Sequence, residues 1–345
     1  SGGVDSTALT ALLARAAGPV RSFSVDYEDE DVNFPNDNAW QPGRDAPFVE
    51  MAAAALKLRH TRVVLPVASL MNALGAAMEA RGLPGMADID SSLLLFGRQL
   101  SPAGRYALSG ECGDEVFGGY PWFHRPDLIE RDGFPWSGSL SLRESVLKPQ
   151  VRLKLNLRGY VLDRCRDALS ELPLLIGEPA DEARLRALQG LCFRFFMPNL
   201  QERAARMLGA SDVRALTPLA DDRLAQYVYN VPWSMKSLGG REKGLFRQAM
   251  DGLMPDALLW RKKSPYPKTY HPDYARLAAE ALAATIADDA APILQLVDRE
   301  ALTRLLGGPV SPEPWFGQLM AGPQMMSYLV QVNLWMLKYR VEVAL

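Results

Sequence analysis

Two glycine-bearing strings hold the residues best suited to chemistry. Ser1-Gly2-Gly3-Val4-Asp5-Ser6 opens the chain, and Ser109-Gly110-Glu111-Cys112-Gly113-Asp114-Glu115 lies far downstream. In the first, glycines let backbone amides approach a phosphate, a following helix would add its positive end, and Ser1 and Ser6 offer hydroxyl donors. Asp5 would repel a phosphate met directly. It makes sense as a ligand for Mg²⁺, which bridges pyrophosphate oxygens and inverts the local charge logic. The lysine of a GxxxxGK[ST] loop is missing, so this is a phosphate loop of another kind. In the second string, Asp114 can give the same ion a second carboxylate, and Glu111 is set to meet a reacting carbonyl or amine.

For both strings to serve one ion they must hang from the same edge of a sheet. Residues 5–16 have helical spacing of apolar positions, so the first glycine loop feeds a helix N-terminus. Strands are predicted at 20–26, 61–65 and 105–108, with helices at 47–57, 67–81 and 91–100 and a long polar loop at 27–46. This alternation predicts an α/β fold with a doubly wound parallel sheet and ligands at the carboxyl ends of its strands. A glycine loop of the first kind normally follows a strand, and none precedes Ser1. The chain is therefore expected to be a fragment cut or renumbered at the loop.

Composition shifts after about residue 125. A Pro/Gly/Trp-rich connector at 126–139 leads into helical patterns at 141–170, 182–208, 221–230, 240–251, 274–287, 298–306 and 324–340, with Pro/Gly clusters at 307–314 and 322–323. Two units are expected: an α/β nucleotide domain over 1–125 and a mostly helical lobe over 126–345 that completes the acceptor site. A length of 345 residues is ordinary for two domains.

Bulk properties exclude several classes. The 38 basic and 40 acidic side chains leave a net charge of −2, which argues against a broad nucleic-acid footprint. No run approaches the roughly 20 apolar residues of a membrane helix. Cys112, Cys165 and Cys192 form no CxxC pair, so neither a disulfide framework nor a zinc site is supported. Buried thiols and a cytoplasmic location are expected. None of His60, His124 and His271 lies in a hydrolase motif.

Taken together, SGGVDS and SGECGDEVFGGY resemble the synthetase domain of glutamine-dependent asparagine synthetases, within the wider group of PP-loop ATP pyrophosphatases. SFSVDYEDEDVNF, GMADIDSSLLLF, NVPWSMKSLGGREKGLFRQAM and LWRKKSPYPKTYHPDY extend the likeness along nearly the whole chain. The resemblance implies that Ser1, Gly2, Gly3, Asp5 and Ser6 hold ATP phosphates, with Asp5 and Asp114 on Mg²⁺. It implies contacts to AMP from Val25, Ser109 and Gly110, and proton transfer from the attacking amine at Glu111. Lys263 would steady the tetrahedral intermediate and leaving group, and Lys243 would reach phosphate. The implied reaction is AMP-forming amide synthesis, in which a carboxylate is adenylated by Mg-ATP and then attacked by an amine or ammonia. An upstream glutaminase-like domain and a homodimer are compatible with that likeness.

The family pattern RxxRxSMAxGxExRxPFLD is broken between Arg203 and Asp221. Arg203, Arg206, Ala210, Pro218 and Asp221 fit it. Leu208 and Gly209 replace Ser-Met, Asp212 replaces Gly, Arg214 replaces Glu and Leu216 replaces Arg. In the family this strip lies where acceptor site and ammonia passage meet. Three readings are therefore carried forward. They are asparagine synthesis from aspartate; intramolecular amide closure of the β-lactam synthetase type, in which Tyr usually stands at the position of Glu111; and a silent ATP-binding scaffold.

Overall fold

The computed structural model describes residues 1–35, 40–173, 175–309 and 313–344. Parts of the polar loop at 27–46 and of the Pro/Gly cluster at 307–314 lie outside the described residues.

The first helix, Val4–Ala17, starts directly behind the glycine loop. Gly2 sets its entry at φ +64°, and a Cβ there would meet Phe48 Cβ at 2.6 Å. Both backbone and space thus require glycine. Strand β1 (Arg21–Tyr27) follows and pairs in parallel with β2 (Arg59–Leu65), from Arg21 opposite Arg59 to Tyr27 opposite Leu65. The helix Ala46–Ala55 makes the crossover between them.

Beyond β2 the expected single helix at 67–81 is two, Val67–Asn72 and Leu74–Arg81. The helix Asp88–Leu100 leads to β3 (Tyr106–Leu108). Its partner is a strand that periodicity did not reveal, β4 (Arg214–Leu216), drawn from the middle of the broken family strip. Among the described residues the strands form two parallel pairs, β1–β2 and β3–β4. Residues of both β1 and β3 line one central cavity.

After residue 126 the described elements are helices apart from β4 and isolated bridges. The pattern at 141–170 divides into Leu140–Ser145, Pro149–Leu155 and Leu157–Ser170. Pro149 can only begin a helix there, and Asn156 takes φ 38° between the last two while its side chain caps Gly159. The pattern at 182–208 is interrupted by a π-turn at Cys192–Phe196, between Ala180–Leu191 and Met197–Gly209. Pro198 explains it: without an N–H, proline cannot bond to the carbonyl four residues back, and the widened turn absorbs the loss.

A large apolar core lies where the helices Pro272–Ala287 and Gly322–Tyr339 pack together. A second, aromatic core joins Trp122, Trp136 and Phe196 with Tyr120 stacked on Trp122 at 4.2 Å. All three cysteines are free and buried, and Trp122 Nε1 points at Cys192 Sγ from 3.4 Å. Met86 and Leu319 of the first core and Tyr120 and Phe196 of the second reach the wall of the cavity. Among the described residues, no helix is long and apolar enough to cross a membrane.

Candidate active site

Three short-range features aim the site. Gly2, Cys112 and Lys243 each adopt a left-handed backbone, at φ +64°, +74° and +56°. Each precedes a helix, namely Val4–Ala17, Gly113–Phe117 and Gly244–Ala249. The reversals deliver Asp5, Asp114 and Lys243 to one point. Strand β3 does the same for the second loop, since Ser109 N continues the ladder to Leu216 O at 2.9 Å.

The cavity measures about 660 Å³, a size that accommodates a nucleotide-sized ligand. The structure brings Ser1, Gly2, Gly3, Asp5, Ser6 and Val25 to its wall, and likewise Ser109, Gly110, Glu111, Asp114, Lys243 and Lys263. Ser1 Oγ lies 3.0 Å from Ser6 Oγ and accepts from Gly3 N at 3.3 Å, so the first loop closes on itself as a small ring of donors. Gly110 packs over that loop so closely that a Cβ would meet Ser6 N at 2.6 Å. The two strings are therefore in van der Waals contact.

Asp5 and Asp114 face each other with Lys243 between them. The Lys243 ammonium bonds Asp5 Oδ2 and stands 2.6 Å from Asp114 Oδ1, while Lys263 Nζ lies 3.0 Å from Asp114 Oδ2. Burial pushes the Asp5 carboxyl up, against the pull of Lys243. Burial also acts on Asp114, but Lys243 and Lys263 together hold it below the usual carboxylate range. Burial would lower Lys243, and the two carboxylates override it and raise its proton affinity.

The pair suits a hard divalent cation. Asp5 Oδ1 is buried with no hydrogen-bond partner. Glycines make the room, since a Cβ at Gly113 would sit 2.6 Å from Asp5 Oδ1 and one at Gly119 2.0 Å from Asp114 Oδ1. Oxygen donors in this number are what Mg²⁺ takes from protein when phosphates supply the rest.

A buried ionic chain reaches Glu111 in the same cavity. Arg81 Nη1 donates to Asp90 Oδ2 at 3.1 Å, Arg203 Nε to Asp90 Oδ1 at 3.0 Å, and Arg203 Nη1 lies 3.7 Å from Glu111 Oε1. The Arg203 guanidinium also rests on the Tyr266 ring at 4.7 Å. Burial raises the Glu111 carboxyl, with Arg203 drawing it back. A carboxylate so raised is a better proton acceptor than a solvated one. Lys263 is positioned twice more: its backbone N donates to Glu242 Oε1 at 3.1 Å, and its ammonium lies 5.7 Å from the Tyr120 ring centroid. Arg247 fixes Glu242 in turn at 2.8 Å.

Sequence reasoning gave no role to Arg203, Asp90, Arg81, Tyr266, Glu242 or Glu115. Arg203 fits the family strip, which is the signal that would have found it. Within the broken strip the replacements separate by location. Leu208 is buried among Leu93, Leu94, Met207 and Val213. Asp212 (φ 57°) and Arg214 are exposed at the turn into β4, so the charge reversal at 214 is not inside the cavity.

Comparison with known proteins shows the family. Residues 1–337 match the family described as "Asparagine synthase". The chain belongs to the asparagine synthase family. It is 41% identical over 350 residues to "Asparagine synthetase [glutamine-hydrolyzing] 3" of Bacillus subtilis (strain 168), a match covering 99% of this chain and 56% of that protein. It is 22% identical over 304 residues to "Asparagine synthetase [glutamine-hydrolyzing] 1" of the same strain, covering 77% of this chain and 45% of the relative. The chain thus spans about half the length of the curated relatives it matches.

Proposed function

We propose that this member of the asparagine synthase family catalyses ATP-dependent, AMP-forming amide synthesis, converting aspartate to asparagine. The observation that carries the proposal is the meeting, in one cavity, of the Asp5–Asp114 pair with Lys263, paired to Asp114, and Glu111. In this reading the two parallel strand pairs are portions of one doubly wound sheet. Residues 1–125 form the nucleotide unit, and 126–345 the acceptor lobe that lends back β4.

A carboxylate is a poor acyl donor because oxide leaves badly. Its oxygen attacks the α-phosphorus of ATP, a C–O–P bond forms, and pyrophosphate departs. Ser1, Ser6 and the amides of Gly2 and Gly3 orient the phosphates, while Val25, Ser109 and Gly110 border the nucleoside. Asp5 and Asp114 would hold Mg²⁺, which when bound neutralises charge on the departing pyrophosphate. Ammonia then attacks the acyl carbon and Glu111 takes the proton it sheds. Lys263 faces the oxyanion and the phosphate of the leaving AMP. Held in the cavity, the two reactants gain effective molarities on the order of 10⁵ M or more. The names of the relatives support glutamine as the ammonia source, delivered by a glutaminase-like partner domain.

Intramolecular closure of the β-lactam type loses its main support, because Asp212 and Arg214 are exposed and Glu111 occupies the position where such enzymes usually carry tyrosine. A silent scaffold would have no need for two half-buried carboxylates held against the buried Lys243 and against Lys263. The test is product analysis in Mg-ATP, aspartate and ammonium. Asparagine, AMP and pyrophosphate in equal amounts are expected; ATP consumption without asparagine, or no consumption, would overturn the reading.

A further inference from the structure

Lys243 stands where a cation would have to enter. Its side chain is 1% exposed and its ammonium contacts both Asp5 and Asp114. We infer that Lys243 locks the carboxylate pair against a bare divalent cation, so that the cation enters only with a phosphate-bearing nucleotide that draws the lysine away. The inference rests on the proposed metal role of Asp5 and Asp114.

Three observations support the lock. The first is charge. Asp5 and Asp114 are balanced by Lys243 and Lys263, two carboxylates against two ammoniums. A bare divalent cation would add two unmatched positive charges to a buried site, whereas a polyphosphate arriving with it supplies the missing anions.

The second is ligand count. Among the described residues, no group of three or more His, Cys, Asp or Glu side chains could hold a metal ion. Two carboxylates leave most of an octahedral shell to phosphate and water.

The third is fit. A Cβ at Gly119 would lie 2.3 Å from Lys243 Cε and 2.0 Å from Asp114 Oδ1, so the lysine fills the slot beside Asp114 closely. Its backbone is fixed in the left-handed region at the head of the Gly244–Ala249 helix. Release therefore requires the side chain to swing toward the incoming phosphates.

Mn²⁺ serves as the probe, with free ion counted by electron paramagnetic resonance, in the presence and absence of α,β-methylene-ATP. In the wild-type protein the nucleotide should tighten Mn²⁺ binding by about tenfold or more, and Lys243→Met should tighten nucleotide-free binding by about the same factor. Lys243→Arg, which keeps the charge, should bind bare Mn²⁺ as weakly as wild type. If Lys243→Met does not fold, Lys243→Gln takes its place. Bare Mn²⁺ bound no more tightly by the uncharged variant than by wild type would overturn the lock. Asp114→Asn separates the two readings: if it leaves nucleotide-dependent Mn²⁺ binding intact, the metal site itself is misplaced.

Discussion

Arg203 holds its guanidinium 3.7 Å from the Glu111 carboxylate with 3% of its side chain exposed. Arg203 is buried and Glu111 half-buried, and Asp90 fixes the arginine from behind at 3.0 Å. Glu111 therefore sits under two opposed influences, burial raising its proton affinity and Arg203 limiting the rise. In the proposed role of Glu111, burial makes the carboxylate a stronger proton acceptor while Arg203 favours its ionised form.

Neutralising Arg203 should move the acid limb of the pH profile. Arg203→Gln removes the charge that favours ionised Glu111, so more alkaline conditions are needed to deprotonate it. The limb of kcat/KM for the amine should shift upward by about one pH unit or more. Pairing the change with Asp90→Asn avoids leaving a buried carboxylate short of a partner, which alone costs about 3–5 kcal/mol. An unmoved limb in the double variant would detach Arg203 from the chemistry.

Asp114→Asn should lower pyrophosphate release by about 10³-fold or more, because the cation loses a charged ligand worth several kcal/mol. The overall fold should survive, since asparagine is nearly isosteric. Release at the wild-type rate in a pyrophosphate-coupled assay would remove Asp114 from the metal site.

The two loops were legible because glycine leaves a sequence mark wherever backbone must approach backbone. Gly110 and Gly113 are needed for contact with the first loop and Asp5, and SGECGDE shows both. The Arg81–Asp90–Arg203–Glu111 chain left no such mark. Its members come from separate elements, and apart from the match of Arg203 to the family strip nothing in the sequence shows which charges pair there. β4 is as short as β3 but has no glycine loop behind it to mark it, so periodicity did not reveal it, and its pairing is a tertiary event. The family resemblance implied that Lys243 reaches phosphate, but its contact with both carboxylates depends on a left-handed backbone that no sequence pattern announces.

Lys263→Ala should separate binding from chemistry. ATP affinity is expected to change only a few-fold in calorimetry, since other groups hold the phosphates. Amide formation should fall by about 10²–10³-fold, the scale for losing a donor aimed at developing charge. Normal product formation would exclude Lys263 from the mechanism.

Gly119→Ala tests the crowding around Asp114 without removing any functional group. Backbone strain is not the issue, since Gly119 is not among the positive-φ glycines. The added methyl would have to displace Asp114 Oδ1 and Lys243 Cε, both less than 2.5 Å from the ideal Cβ position. Nucleotide-dependent Mn²⁺ binding should weaken by about tenfold or more while the thermal midpoint moves little, the cost of overpacking being about 1–3 kcal/mol. Metal binding at wild-type strength would mean that the slot is wider than its contacts indicate.

Glu115 gives a prediction about stability. It is 1% exposed and bonded to the Tyr120 hydroxyl at 2.8 Å, and burial pushes its carboxyl up to about 8 from an ordinary 4.5. Between those two values the folded chain keeps a proton that the unfolded chain has released. Stability contributed by this group is therefore full below about 4.5 and is lost as pH rises toward 8. Glu115→Gln cannot ionise, so it should flatten the decline and leave the variant more stable than wild type near pH 9, by an amount on the order of a few kcal/mol. Urea unfolding across this range measures it. Some decline should persist in the variant, because Glu30 is pushed to about 8 by the same cause. Parallel curves for the two proteins would mean that Glu115 is ionised in the folded state at neutral pH.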